Sequence, residues 1–238
     1  MKLIFIRHGE PDYSIDSLTE KGWREAELLG ERAAKWDVTA FYRSPLGRAG
    51  DTAKPTLRRT GREAEILPWL EEFSGRIPDP EGEGMRRCWD LPPRLWAEDP
   101  DFFDPDRWDR SRVFAGGTVS EARRKTEEGL DGFLLEHGYR RQGRIYVPER
   151  ANRDTYVFFC HLAVQCVSIA HLIGAAAPVI WQGVFLPASS VTVAVTEELA
   201  PGEVSFRLQT VGDAAHLLLA GEPVSYMGSY YPEGPFQG

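Results

Sequence analysis

The chain has 238 residues, 42% apolar and 27% charged, an ordinary globular composition that excludes a wholly disordered, collagenous or coiled-coil chain. At about 150 residues per domain, this length suits one α/β domain over residues 1–238 that carries a large insertion. The balance of 28 basic against 36 acidic residues leaves a net charge of −8, which argues against nucleic acid or an anionic membrane as partner.

In chain order, residues 2–6 form a short apolar, β-branched run, expected to be a buried strand, that breaks at Arg7-His8-Gly9. From Thr19 to about Trp36, small and apolar residues at 23, 26, 30 and 33 keep helical spacing, with Thr19 available as N-cap. A strand over 40–42 runs into Ser44-Pro45, where proline suits the first turn of a helix reaching about Arg59. Another short strand is expected over 65–67. The stretch 74–117 is dense in Gly, Pro, Asp and Arg and too long for a structureless loop. It reads as an insertion with a few short helices, its prolines forbidding regular strands and Trp89, Trp96 and Trp108 packing inside it. Residues of about 76–117 are expected to form a cap over the crevice.

Helix resumes over 118–137, with Ser120 as a cap and Gly138 as the stop. The run TYVFFC at 155–160 reads as a buried strand ending at His161, followed by a helix from Ala163 to Ile173 closed by Gly174. Two strands are expected near 190–195 and 204–208, then an aromatic tail rich in Gly and Pro. This rhythm predicts an α/β fold, a three-layer αβα sandwich around a mainly parallel sheet.

Cys88, Cys160 and Cys166 are an odd number in a chain too long to need stapling, so free thiols and a cytoplasmic location are expected. The opening apolar run is too short for a signal peptide, and no window reaches the about 18 apolar residues of a membrane span. Arg outnumbers Lys 23 to 5, and the planar guanidinium fork matches phosphate and carboxylate oxygens.

Three predicted strands end on Arg7-His8, Ser44 and His161, and ligands of open parallel α/β sheets gather at the carboxyl ends of strands. Two imidazoles and at least one guanidinium are therefore expected in one crevice. Such cations repel a metal ion, and no Cys, His or carboxylate spacing completes a ligand set, so neither metal nor cofactor is expected. The same groups suit an oxyanion: a neutral imidazole attacks phosphorus while arginines hold its oxygens. The other histidines read as structural: His137 at a helix C-terminus, where the dipole favours a charged ring, His171 in helix packing, and His216. Cys160 and Cys166 flank His161 without a zinc spacing and read as buried, apolar-like residues.

The string Arg7-His8-Gly9-Glu10, then Leu18-Thr19 with Gly22, Ser44-Pro45-Leu46 followed by Arg48-Ala49 and Thr52-Ala53, Leu70-x-Glu72, and a strand ending in His161 resemble, in that order, the histidine phosphatase or phosphoglycerate-mutase-like superfamily. The resemblance implies a metal-independent phosphatase that hydrolyses a small phosphomonoester through phosphohistidine on His8. It makes His8, Glu72 and His161 catalytic, and Arg7, Arg48 and His161 the phosphate-binding set. Glu71, next to Glu72, is the alternative general acid, and Glu10 either touches the pocket or caps a turn. Leu162-Ala163 follow His161 where the family often has Gly-Gly, and Asp12-Tyr13-Ser14 stand where an Asn commonly contacts phosphate. These departures leave the substrate open. A phosphoglycerate-type phosphomutase and a non-catalytic phospholigand-binding module are the alternatives. The expected partner is a small phosphorylated substrate, with neither nucleic acid nor membrane. The aromatic tail closes the pocket or packs on a second copy, which leaves a homodimer open.

Overall fold

The computed structural model describes residues 1–225 and 227. In chain order it contains β1 (Lys2–Arg7), β2 (Pro11–Asp12), β3 (Ser17–Leu18), α1 (Glu20–Ala33), β4 (Ala40–Arg43), α2 (Gly47–Thr60), β5 (Ala64–Ile66), β6 (Arg76–Pro78), β7 (Met85–Arg87) and α3 (Val119–Glu136). Then follow β8 (Tyr139–Gln142), β9 (Ile145–Pro148), β10 (Thr155–Cys160), α4 (Leu162–Ile173), α5 (Ala177–Gly183), β11 (Val191–Ala200), β12 (Glu203–Asp213) and α6 (Ala215–Ala220).

A strand that is apolar at every position has to be covered on both faces. In β1, Leu3 and Phe5 join one core while Ile4 and Ile6 join the other, and β10 divides Phe158 from Val157 and Phe159 in the same way. The first core packs against α3, α4, α5 and the segment 73–119, and the second against α1 and α2. This gives the helix–sheet–helix layering expected of the sequence.

The eight strands of the main sheet run in the order β5-β4-β10-β1-β11-β12-β9-β8. The first four pair in parallel, and this half carries the predicted site residues. Beyond β1 the sheet continues with antiparallel strands, through the long β11–β12 hairpin and then the β8–β9 hairpin.

Thr19 caps α1 as expected, its hydroxyl accepting from Gly22 N at 3.0 Å. Helix α2 starts at Gly47, so Pro45 lies before it, in the turn from β4. Thr118 rather than Ser120 occupies the cap position of α3, and it makes no side-chain capping bond there. The stretch 74–117 is built from 3₁₀ turns and the small β6–β7 hairpin. Pro78 sits at the end of β6, where no inner ladder bond is lost, so proline did not forbid a strand here. Trp89 and Trp108 are buried, and Trp96 stacks on Phe102 at 5.0 Å, as core residues do. Apart from Ser225 and Met227, the aromatic tail lies outside the described residues.

Candidate active site

Strands β1 and β10 are parallel and in register, with Arg7 opposite Cys160, so the residues that follow leave the sheet side by side. These are His8 and His161, whose ring centroids lie 5.1 Å apart. His8 N donates to the Cys160 carbonyl at 3.0 Å, which fixes the first exit. On the other side of β10, Ser44 N donates to the Phe159 carbonyl at 2.9 Å as β4 ends. Three strand ends therefore converge, as the sequence pattern predicts.

A backbone carbonyl sets the tautomer of His8, and a hydroxyl faces His161. His8 Nδ1 lies 2.7 Å from the Gly9 carbonyl, which only accepts, so Nδ1 carries the proton and Nε2 keeps its lone pair. Nε2 makes no hydrogen bond among the described residues. Ser44 Oγ accepts from Leu46 N at 3.2 Å and lies 2.7 Å from His161 Nε2; with the hydroxyl donating to that nitrogen, the His161 proton is on Nδ1. That Nδ1 is buried and has no partner among the described residues. Burial, reinforced by Arg7, lowers the His8 pKa to about 3. His161 is held well below the usual histidine range by burial, then by His8 and the arginines. Both rings are neutral near pH 7.

The loop after β1 depends on close backbone approach. A Cβ on Gly22 would stand 2.2 Å from the Glu10 carbonyl oxygen, so only glycine lets α1 come this near. From α2, Thr52 Oγ1 accepts from Gly9 N at 2.9 Å and donates to the Arg48 carbonyl at 2.8 Å. Glu10 is turned toward α1, accepting from Thr19 Oγ1 at 3.0 Å and from Ser225 Oγ at 2.7 Å.

Two buried arginines flank the imidazoles. Arg7 donates to the Leu186 carbonyl and, at 3.3 Å, to that of Met227. Arg48 donates to Asp16 Oδ1 at 2.6 Å and lies 5.5 Å over the Tyr13 ring. In both arginines Nε is buried without a partner among the described residues. Together with His161 Nδ1, three unspent donors belong to this one cluster, a donor set that fits a tetrahedral oxyanion.

A 3₁₀ turn at Pro68–Leu70 delivers the two adjacent glutamates to opposite sides. Glu71 points outward and pairs with Lys125 at 3.1 Å. Glu72 turns inward, and its Oε1 accepts from Phe73 N, Ala163 N and Val164 N at 2.9, 3.1 and 3.2 Å. The last two belong to the first turn of α4, directly after His161. Burial raises the Glu72 pKa, against the pull of the Phe73 and Val164 amides and of Arg48 and Arg7.

Sequence reading missed several contributors. Asp16 holds both Arg48 and Gly47 N, the latter at 2.6 Å, and Tyr13 covers the guanidinium. Only the tight β2–β3 hairpin, with Asp16 at φ 48°, brings them there. Asp12 faces solvent and binds its own Ser14, at 3.0 Å to N and 2.6 Å to Oγ, so its charge is directed away from the pocket. His137 departs from expectation: burial lowers its pKa, outweighing the dipole at the end of α3. For His171 burial opposes the charge, but hydrogen bonds to Asp131 and Glu127 raise the pKa. His216 is buried, with Nε2 at 3.0 Å from Ser189 Oγ. The three cysteines are buried and free. Among the described residues, no group of three or more His, Cys, Asp or Glu is arranged to hold a metal ion.

A family model described as the histidine phosphatase superfamily (branch 1) matches residues 3–205. Over 61 residues the chain is 41% identical to a 2,3-bisphosphoglycerate-dependent phosphoglycerate mutase of Thermoplasma acidophilum. That match spans 21% of this chain and only 30% of the relative. Among solved structures, a mycobacterial glucosyl-3-phosphoglycerate phosphatase is similar with a TM-score of 0.60 and 17% identity, over 89% of this chain and 98% of the other. A phosphoserine phosphatase of Entamoeba histolytica, in complex with 3-phosphoglyceric acid, is similar with a TM-score of 0.57 and 19% identity, over 91% and 98%. At such identities the likeness to both structures is one of fold. Because the family model runs from the first strand into β12 and so includes every strand end described above, the chain belongs to the histidine phosphatase superfamily, branch 1.

Proposed function

We propose that the protein is a metal-independent phosphatase that hydrolyses a small phosphomonoester through phosphohistidine on His8. The observation that carries this reading is the unprotonated, unbonded Nε2 of His8, buried between two arginines and beside a second neutral imidazole. Arg7, Arg48 and His161 Nδ1–H hold the phosphoryl oxygens. Nε2 attacks phosphorus in line, the ester P–O bond breaks, and Glu72 gives its proton to the departing alkoxide. The Glu72 carboxylate then takes a proton from water, whose oxygen attacks phosphorus. The P–N bond breaks, releasing inorganic phosphate and restoring neutral His8. The arginines supply the charge stabilisation that a metal supplies elsewhere, and they repel a metal from this position.

Residues 1–238 form one domain in this reading, with 76–117 as its cap. The three buried thiols fit a reducing compartment, the cytoplasm. Among the described residues no helix is long and apolar enough to cross a membrane. The short match to a phosphoglycerate mutase favours a phosphomutase as the second reading, in which phosphohistidine returns its group to another hydroxyl.

Hydrolysis of an aryl phosphate in excess chelator, followed by release of inorganic phosphate, tests the proposal. His8→Ala is expected to abolish turnover, and Glu72→Gln to lower kcat by about 10²–10⁴-fold. Transfer to an added alcohol without net phosphate release establishes the mutase instead. Undiminished turnover in His8→Ala overturns both readings.

A further inference from the structure

A cavity of about 620 Å³ adjoins the phosphate site. It begins at Leu162, the residue after His161, and at Phe185, whose ring lies 5.9 Å from the Arg7 guanidinium carbon. Leu91 and Pro92 wall it from the 76–117 side, and Leu162, Trp181 and Phe185 from the other. A three-carbon acid would fill a minor part of this space, and apolar walls of this extent suit a ring. Leu162, standing where glycine is common in the family, lines this cavity directly after His161.

Three charged residues line the same cavity, and two are already engaged. Glu81 is paired with Arg94. Arg86 donates to the Asp90 carbonyl at 3.1 Å and faces Asp79 at 3.8 Å. The Asp90 carboxylate has neither a hydrogen bond nor an ion pair among the described residues. Its backbone is held at φ 61°, in the left-handed region, where aspartate is one of the few tolerated residues and where strain often marks a ligand site. Burial raises the Asp90 pKa against the pull of Arg86, then of Arg87 and Arg7, so the carboxylate lies within electrostatic range of the phosphate pocket as well as of its neighbouring arginines. Among the described residues, no unpaired cation in the cavity waits for a second anion.

We propose that this cavity takes the alcohol part of a phosphomonoester whose alcohol is neutral or cationic and bears a ring. Asp90 selects it, accepting a hydrogen bond from a hydroxyl or ammonium group and repelling a carboxylate or a second phosphate. The assignment deepens the phosphatase reading and rests on it.

The test uses three phenyl phosphates with para aminomethyl, hydroxymethyl or carboxylate groups, which share a ring and leaving phenoxides of similar basicity. kcat/KM is measured in the wild type, and Kd by calorimetry in His8→Ala, which needs no turnover. The first two esters are expected to be favoured over the carboxylate by about tenfold or more in both readouts. Asp90→Asn is expected to bring the aminomethyl-to-carboxylate ratio toward one. An equal or better carboxylate ester, or a ratio unchanged in Asp90→Asn, overturns the proposal. If the wild type hydrolyses none of the three while the Kd order holds, the phosphatase reading fails and the cavity assignment stands. Hydrolysis of all three without order does the reverse.

Discussion

His8 owes its chemistry to a hydrogen bond and to burial, and both have consequences for pH. With its pKa at about 3, the ring is an uncharged nucleophile throughout the neutral and mildly acidic range, so its protonation does not set the acid limb of activity. The raised Glu72 pKa acts at the other end. As pH climbs past it, the general acid loses its proton, so kcat is expected to fall on the alkaline side, and a pH–rate profile of Glu72→Gln is expected to lose that limb. A second buried glutamate titrates outside the pocket. Glu25 on α1 is fully buried, accepts from Glu10 N at 2.8 Å, and has its pKa pushed up to about 7 by burial. The folded state then holds this proton more tightly than the unfolded chain, so stability falls as pH rises from about 4.5 to about 7. Glu25→Gln keeps the acceptor and removes the charge. Urea unfolding is expected to find this variant more stable than wild type at pH 8, by up to about 3 kcal/mol, and nearly equal at pH 4. Arg7, His8, Arg48 and His161 were legible in the sequence because each stands beside a strand end or in a contiguous motif. Asp16 and Tyr13 were not, since they reach Arg48 through a hairpin whose strands are two residues each.

Among the elements, α3 shows packing overriding intrinsic preference. Gly129 sits in mid-helix, where alanine is worth about 1 kcal/mol more on propensity alone. A Cβ there would meet Trp69 Cγ at 2.3 Å, and Trp69 is part of the turn that delivers Glu72. The contact is with a ring packed at 6.1 Å from Phe158, which has little room to move. Gly129→Ala is therefore expected to destabilise by about 1–3 kcal/mol in thermal unfolding and to lower kcat as well, against the sign that propensity gives. The major helices and the strands of the parallel half were readable because their apolar periods are strong. The β8–β9 hairpin escaped because its first strand reads YRRQ and buries only Tyr139, with Tyr146 the buried residue of the second. Helices α5 and α6, of seven and six residues, are too short to carry a helical period.

At the scale of the whole molecule, one tryptophan joins the 76–117 segment to the sheet's helical layer. Trp181 of α5 lies 5.3 Å from both Phe73 and Trp108, 6.3 Å from Trp89 and 6.5 Å from Phe114. Its indole N–H donates to the Ala163 carbonyl at 3.2 Å, in the α4 turn that also holds Glu72. Wild-type protein is expected to unfold in a single transition by tryptophan fluorescence and far-UV circular dichroism. Trp181→Ala is expected to cost about 3–5 kcal/mol and to make the 76–117 segment the first site of proteolysis. Sequence reading gave this segment its tryptophan core but not the anchor, which lies 64 residues past its end. Phe5 sits between Phe158 and Thr192, so the strand that launches His8 has no neighbour until most of the chain exists. On a ribosome adding about 5–20 residues per second, the nucleophile emerges roughly 8–40 seconds before those flanking strands are made. Through that interval an apolar strand with two open edges lacks the partners of its own fold, and no phosphate site exists until His161 and the strand before it have been translated.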